Sequence, residues 1–251
     1  MAQRSPVMVD GRELNAGVFV IDKPAGMSSF AVVKKVRWLL GIKKVGHAGT
    51  LDPFATGLLV VCAGRAATRH IDGFMQGRKT YRAVLQLGVE TETQDPEGEV
   101  TARQSVPELR VADIEPLLAE FTGPQMQAPP PYSAAKHKGK PLYHYARQGI
   151  MIQKEPKPIE IYSLRAEGYD PAQERLTLTI TCSRGTYIRV LAADIGRRIG
   201  CGAHLVELRR IASGGFNLEQ AVSGQQLFDG ENPLELLLDN MITVEQALEM
   251  G

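Results

Sequence analysis

The chain has 251 residues, 43% of them hydrophobic and 23% charged, with three widely spaced cysteines, Cys62, Cys182 and Cys201. This composition is globular. It excludes a disordered or collagen-like chain and a disulfide framework or Cys-x-x-Cys zinc site, and apolar runs such as Gly57–Ala63 fall far short of the ~20 residues of a membrane span. The net charge of +1 hides an asymmetry: seven of the 28 acidic residues lie in 217–251, which holds no Lys or Arg, so the preceding part carries 29 basic against 21 acidic residues. A basic body favours a polyanionic partner. The N-terminus lacks a basic-then-apolar signal pattern, which points to the cytoplasm.

Residues 1–16 are polar and read as a segment outside the core. Gly17–Asp22 predicts a short buried strand, stopped by Lys23-Pro24-Ala25-Gly26. Ser28 or Ser29 can cap a helix whose apolar positions Val32, Val33, Val36, Leu39 and Leu40 follow the 3.6-residue period, and Gly41 closes it. A glycine-rich stretch between Val45 and Gly57 precedes a buried strand over Leu58–Cys62. Tyr81, Ala83, Leu85 and Leu87 alternate with Arg82, Val84 and Gln86, as a half-buried strand requires.

Further on, a helix is predicted over 113–122, with Pro116 in its first turn and Gly123 beyond its end. Pro124–Gly149, rich in Pro, Lys, Tyr and His, reads as a long irregular segment, and such loops are usually functional. Leu176, Leu178, Ile180 and Cys182 alternate with threonines in another strand. Ser183-Arg184-Gly185 then leads into a helix carrying Ile188, Leu191, Ala192, Ile195 and Ile199, closed by Gly200. The mixture predicts an α+β domain around a mixed, largely antiparallel sheet with flanking helices and loops.

Three constellations can carry chemistry. In Gly46-His47-Ala48-Gly49-Thr50-Leu51-Asp52-Pro53-Phe54-Ala55-Thr56-Gly57, the glycines permit sharp turns and close ligand approach. Asp52 before Pro53 is by itself a standard helix start, and His47 by itself an ordinary hydrogen-bonding residue. The block lacks metal-ligand spacing and the Gly-Lys-[Ser/Thr] ending of a phosphate-binding loop. In Lys79-Thr80-Tyr81-Arg82, Tyr81 can be a core aromatic or a stacking platform for a base. In Cys182–Arg189, Arg189 lies in the first turn of a helix, where a cation opposes the helix dipole and needs a carboxylate or phosphate nearby.

These blocks, with Gly17–Ser29, Pro130–Arg147 and Gly202–Arg210, occur in an order that resembles the TruB family of tRNA pseudouridine-55 synthases over roughly 17–215. The resemblance implies an isomerase of the pseudouridine synthase fold, with an active-site cleft across the middle of the sheet. It would turn the T-loop uridine at position 55 of tRNA into pseudouridine, after flipping it out of the loop, with no cofactor and no metal. Asp52 matches the catalytic aspartate, either as nucleophile at C1′ or as base at C2′. Arg189 matches the arginine that pairs with it, and Tyr81 the tyrosine that packs on the base. His47 matches the residue that supports the opened RNA loop.

Tyr187 and Leu208 are implied as pocket lining and Asp95 as a polar contact. Within Pro130–Arg147, the groups Tyr132, Lys136, His137, Lys138, Lys140, Tyr143 and Arg147 suit contact with the T-stem backbone. The expected organisation is an N-terminal polar segment over 1–16, a catalytic domain over 17–240 with an RNA-clamping insertion at 124–149, and a short tail over 241–251 without the PUA-type domain of many relatives. The expected partner is the tRNA T-arm, bound by a monomer with no obligate protein partner. Competing readings are an RNA-remodelling protein, a synthase acting on ribosomal RNA, and a carboxylate hydrolase; the last lacks a spaced acid/base pair.

Overall fold

The computed structural model describes residues 7–9 and 12–250. In chain order its principal elements begin with β1 (Gly17–Lys23), α1 (Ser29–Leu40), β2 (Val45–His47), β3 (Thr56–Ala63) and β4 (Lys79–Leu87). There follow α2 (Val111–Ala119), β5 (Gly123–Gln127), β6 (Lys157–Asp170), β7 (Arg175–Cys182), α3 (Ile188–Ile199) and β8 (Ala203–Ser213). The chain closes with α4 (Gly224–Asp229), α5 (Pro233–Asp239) and α6 (Val244–Met250). This is an α+β fold with a mixed sheet, and among the described residues no helix is long and apolar enough to cross a membrane.

The chain divides into two compact units, one of Met1–Lys79 with Arg209–Gly251 and the other of Thr80–Leu208. In the first, β1 and β3 pair antiparallel from Gly17↔Ala63 to Lys23↔Gly57. The outer part of β8 runs parallel to β3 through Arg209↔Thr56 and Arg210↔Gly57. Both β1 and β3 are apolar almost throughout because both faces are covered. Phe19, Ile21, Leu59 and Val61 pack against Val32, Val36, Leu39 and Leu40 of α1. On the opposite face Val18, Val20, Leu58 and Val60 meet Phe74, Phe216, Val244 and Ala247. Residues 241–251, read from the sequence as a tail, therefore contribute α6 and two buried side chains to this unit.

Local signals set the ends of α1. The Ser28 hydroxyl accepts from the Ala31 N–H at 3.1 Å, and Gly41 takes the left-handed conformation at φ 67°. Gly57, at φ 99°, is required by close approach: a Cβ there would lie 2.2 Å from the Arg210 carbonyl oxygen. The glycine therefore permits the parallel pairing of β3 with β8.

In the second unit the strand order is β4, β7, β6, β5, with β6 antiparallel to both its neighbours β7 and β5. The predicted alternation of β7 is present, with Leu176, Leu178, Ile180 and Cys182 buried. Two expectations need correction. Helix α2 starts at Val111, so Pro116 sits in its second turn, where the missing N–H orphans a carbonyl one turn back. Ala112 and Pro116 are exposed, so water can satisfy that group. The segment 124–149 is also largely ordered. It contains most of β5 at the sheet edge, where Pro124 is tolerated, a hairpin over Lys136–Pro141 and a helical turn over Leu142–Ala146.

Candidate active site

Asp52 does not begin a helix. The chain turns at Asp52-Pro53-Phe54-Ala55, with the Ala55 N–H donating to the Asp52 carbonyl at 3.2 Å, and then enters β3. The helix-start explanation of Asp-Pro is thereby removed.

What holds this turn is a set of buried polar groups from three elements of the same unit. Lys23, at the end of β1, is fully buried, and its ammonium donates to the carbonyls of Pro24 (2.8 Å), Met27 (2.7 Å) and Pro53 (3.2 Å). The Gly26 N–H donates to the same Pro53 carbonyl at 2.9 Å. At the start of α1, the buried Ser29 hydroxyl accepts from the Leu51 N–H (2.8 Å) and donates to the Leu51 carbonyl (3.0 Å). Arg210, 1% exposed in β8, donates to the carbonyls of Leu58 (2.7 Å) and Gly49 (3.0 Å). Asp52 is thus flanked on both sides by backbone whose polar groups are fixed.

His47 ends β2, upstream on the same connection. Burial lowers its pKa, and the Arg210 guanidinium lowers it further. Both causes favour the neutral ring, and the buried Nδ1 has no hydrogen-bond partner among the described residues. The charge on Arg210 thus separates two roles: Arg210 holds the loop, while His47 remains an uncharged polar ring.

In the second unit Arg189 occupies the first turn of α3 and is 3% exposed. It donates through Nη1 to Asp95 Oδ2 (3.1 Å) and the Thr93 carbonyl (2.7 Å), and through Nη2 to the Tyr132 carbonyl (2.8 Å). The carboxylate that a cation at a helix start demands is present in Asp95. Asp95 is itself buried, and its Oδ1 accepts from the Thr93 hydroxyl (2.5 Å) and the Glu97 N–H (3.0 Å). Tyr187, just before α3, is clamped by Gln127 of β5. The Gln127 amide accepts from the Tyr187 N–H (2.7 Å) and donates to its carbonyl (3.1 Å).

Tyr81 on β4 and Leu208 on β8 are buried, at 8% and 7% exposure. Lys136, Lys138 and Arg147 are exposed on the hairpin and the turn that follows it. Lys138 (φ 49°) and Gly139 (φ 81°) form the tip, the two positive values of a tight hairpin turn. The Arg147 guanidinium lies 5.4 Å from the Tyr143 ring centroid. Sequence reasoning assigned no site role to Lys23, Gln127 or Arg210 and read Ser29 only as a candidate helix cap. The available signal was a charge at the end or in the middle of an apolar strand, in Asp22-Lys23 and Arg209-Arg210.

Comparison with known proteins identifies the family. The model of the TruB family pseudouridylate synthase N-terminal domain matches residues 37–188, and that of the tRNA pseudouridylate synthase B C-terminal domain matches 189–249. The chain is 52% identical to a protein of Desulfotalea psychrophila named tRNA pseudouridine synthase B, over 95% of this chain and 98% of that one. It is 45% identical to the protein of the same name from Syntrophus aciditrophicus, over 92% and 73%. Among solved structures, a Cbf5-Nop10-Gar1 complex superposes with a TM-score of 0.69 at 27% identity, covering 93% of this chain and 62% of that one. An H/ACA RNP bound to a substrate RNA containing 2′-deoxyuridine gives 0.68 at 26% identity, covering 93% and 61%. The chain thus spans less than two thirds of those two structural relatives.

Two outcomes are expected. Asp95→Ala removes the carboxylate that accepts from Arg189 Nη1 and should cost about 1.5–3 kcal/mol in urea unfolding; a loss within ~0.5 kcal/mol would contradict the buried pair. His47 should titrate below the ordinary histidine value of 6.5 in an NMR pH series. Because its folded pKa is depressed, its contribution to stability is present above 6.5 and is lost as pH falls toward the folded value. A midpoint above 6.5 would refute this environment.

Proposed function

The chain belongs to the TruB family of pseudouridylate synthases, and from that membership we propose that it isomerises uridine 55 in the T-loop of tRNA, with Asp52 as the reacting carboxylate. The reaction breaks the N1–C1′ bond, turns the base and forms a C5–C1′ bond. C5 loses a proton and N1 gains one, so atoms and electrons balance without an external reductant or oxidant. Such chemistry asks the protein for a fixed carboxylate at the ribose and for a place to hold the flipped base.

The observation that carries the reading is the Asp52 turn, which caps no helix and yet is held by Lys23, Ser29 and, through Gly49, by Arg210. Fixing the backbone on both sides of Asp52 limits where its carboxylate can point, whether it attacks C1′ or removes the C2′ proton. Tyr81 packs on the base, and Tyr187 and Leu208 line the pocket. Arg189 keeps the electrostatic role that the family resemblance gives it, with Asp95 as its anchor. A neutral His47 suits support of the RNA loop, since it fills space without attracting a phosphate. Lys136, Lys138 and Arg147, exposed and cationic, supply backbone contacts to the T-stem.

The test is release of tritium from uridine C5 of an unmodified tRNA transcript, with no added metal or nucleotide. Wild type should release about one label per tRNA. Asp52→Asn, nearly isosteric but unable to attack or accept a proton as a carboxylate does, should lower the rate by at least ~10³-fold while binding the transcript normally. Comparable turnover by the variant would remove Asp52 from the chemistry.

A further inference from the structure

We propose that the solvent face of α1 is an additional RNA contact that takes the sugar-phosphate backbone and one unstacked base of the substrate strand beside the target nucleotide. The inference rests on the tRNA reading above and extends it to residues that the reaction does not use. Helix α1 buries Val32, Val33, Val36, Leu39 and Leu40 and turns Phe30, Lys34 and Trp38 outward, at the i, i+4, i+8 spacing of one helical face, with Arg37 half-buried beside them and donating to the Val45 carbonyl at 3.2 Å. Phe30 is 52% and Trp38 48% exposed, both large aromatics. Single exposed apolar residues need no explanation, but two on one stripe interleaved with cations do.

The charge is as uneven as the exposure. From Pro24 to Leu51 the chain has five basic residues, Lys34, Lys35, Arg37, Lys43 and Lys44, and no acidic one. Among the described residues none of these five forms an ion pair. Two of them lie over rings instead: exposed Lys34 is 5.0 Å from the Phe30 centroid, and half-buried Lys35, which also donates to the Phe228 carbonyl at 3.4 Å, is 5.3 Å from that of Trp38. A cationic stripe with exposed ring faces offers what a single strand presents, phosphates at the edge and a flat base.

Position selects the occupant. Ser29, the first residue of α1, is bonded to both backbone groups of Leu51, next to Asp52. Helix α1 therefore begins next to the residue that precedes Asp52, and at 1.5 Å per residue its outer face extends about 12 Å from Phe30 to Trp38, roughly three or four stacked nucleotides. A strand whose uridine reaches Asp52 can place a neighbouring phosphate over Lys34 and a base against Trp38.

Trp38 is the single tryptophan of the chain, so its emission reports directly on this face. Titration with an unmodified tRNA transcript should change Trp38 emission to saturation at the Kd measured by filter binding. Trp38→Ala should raise Kd and KM about tenfold with kcat within about twofold of wild type. Lys34→Gln should lower the log–log salt slope of binding by about 0.7–0.9. Unchanged emission at saturating tRNA, or wild-type Kd and salt slope in both variants, would overturn the inference. So would an emission change that follows protein concentration without RNA, with both variants binding normally, since the face would then meet a second copy. If wild type released no C5 label while Trp38 still responded to tRNA as described, the proposed reaction would fail and the RNA contact would stand.

Discussion

The buried ammonium of Lys23 is the interaction on which the first unit is organised. Carrying a charge into an interior is costly unless its donors are met. Here the three protons of the ammonium are met by the carbonyls of Pro24, Met27 and Pro53, two from its own connection and one from the turn that bears Asp52. Charge-assisted hydrogen bonds contribute about 1.5–3 kcal/mol each, but their larger effect is geometric. The turn cannot shift without breaking the Lys23–Pro53 hydrogen bond of a buried charge. Ser29 and Arg210 add the same constraint from α1 and β8, through Leu51 and Gly49. A reacting group is thereby fixed from the ends of rigid elements while it sits on an irregular connection, which is how catalytic loops gain precision.

The second unit solves an analogous problem with an ion pair. Arg189 and Asp95 are both almost fully buried, and each also has neutral partners in Thr93, Tyr132 or Glu97. A buried pair of this kind adds little net stability over an apolar replacement, but leaving one member alone is expensive. Its effect is to fix the start of α3, and with Gln127 clamping Tyr187 it sets the path of the chain into that helix. Both units therefore place candidate site residues beside buried charges whose hydrogen bonds close locally.

Much of this could be read from the sequence where one local rule dominates. The strands around Gly17–Asp22 and Leu58–Cys62, the period of α1 with its Ser28 and Gly41 ends, the alternation over Arg175–Cys182 and the Gly200 end of α3 are all local patterns. The longest strand, β6, was not legible because register shifts between Ile161 and Ser163 and between Ala166 and Gly168 break its alternation. Nor was β8, whose strand pattern is interrupted by Arg209-Arg210 although Arg210 is buried. Asp52, His47, Tyr81 and Arg189 stood out by their motif contexts. The groups that hold them did not, because a lysine that bonds a carbonyl thirty residues away leaves no periodic trace.

The constraint on Asp52 makes a demand that differs from that of substrate binding: the turn must be held even when tRNA is saturating. The most direct measurement is the single-turnover rate of Ser29→Ala at saturating tRNA, with Kd determined alongside. Loss of the hydroxyl leaves the buried N–H and C=O of Leu51 without their partner and frees the turn. We predict a rate about 10–100-fold lower with tRNA affinity unchanged. A wild-type rate in a folded Ser29→Ala protein would contradict the claim that buried side chains on neighbouring elements position the reacting carboxylate.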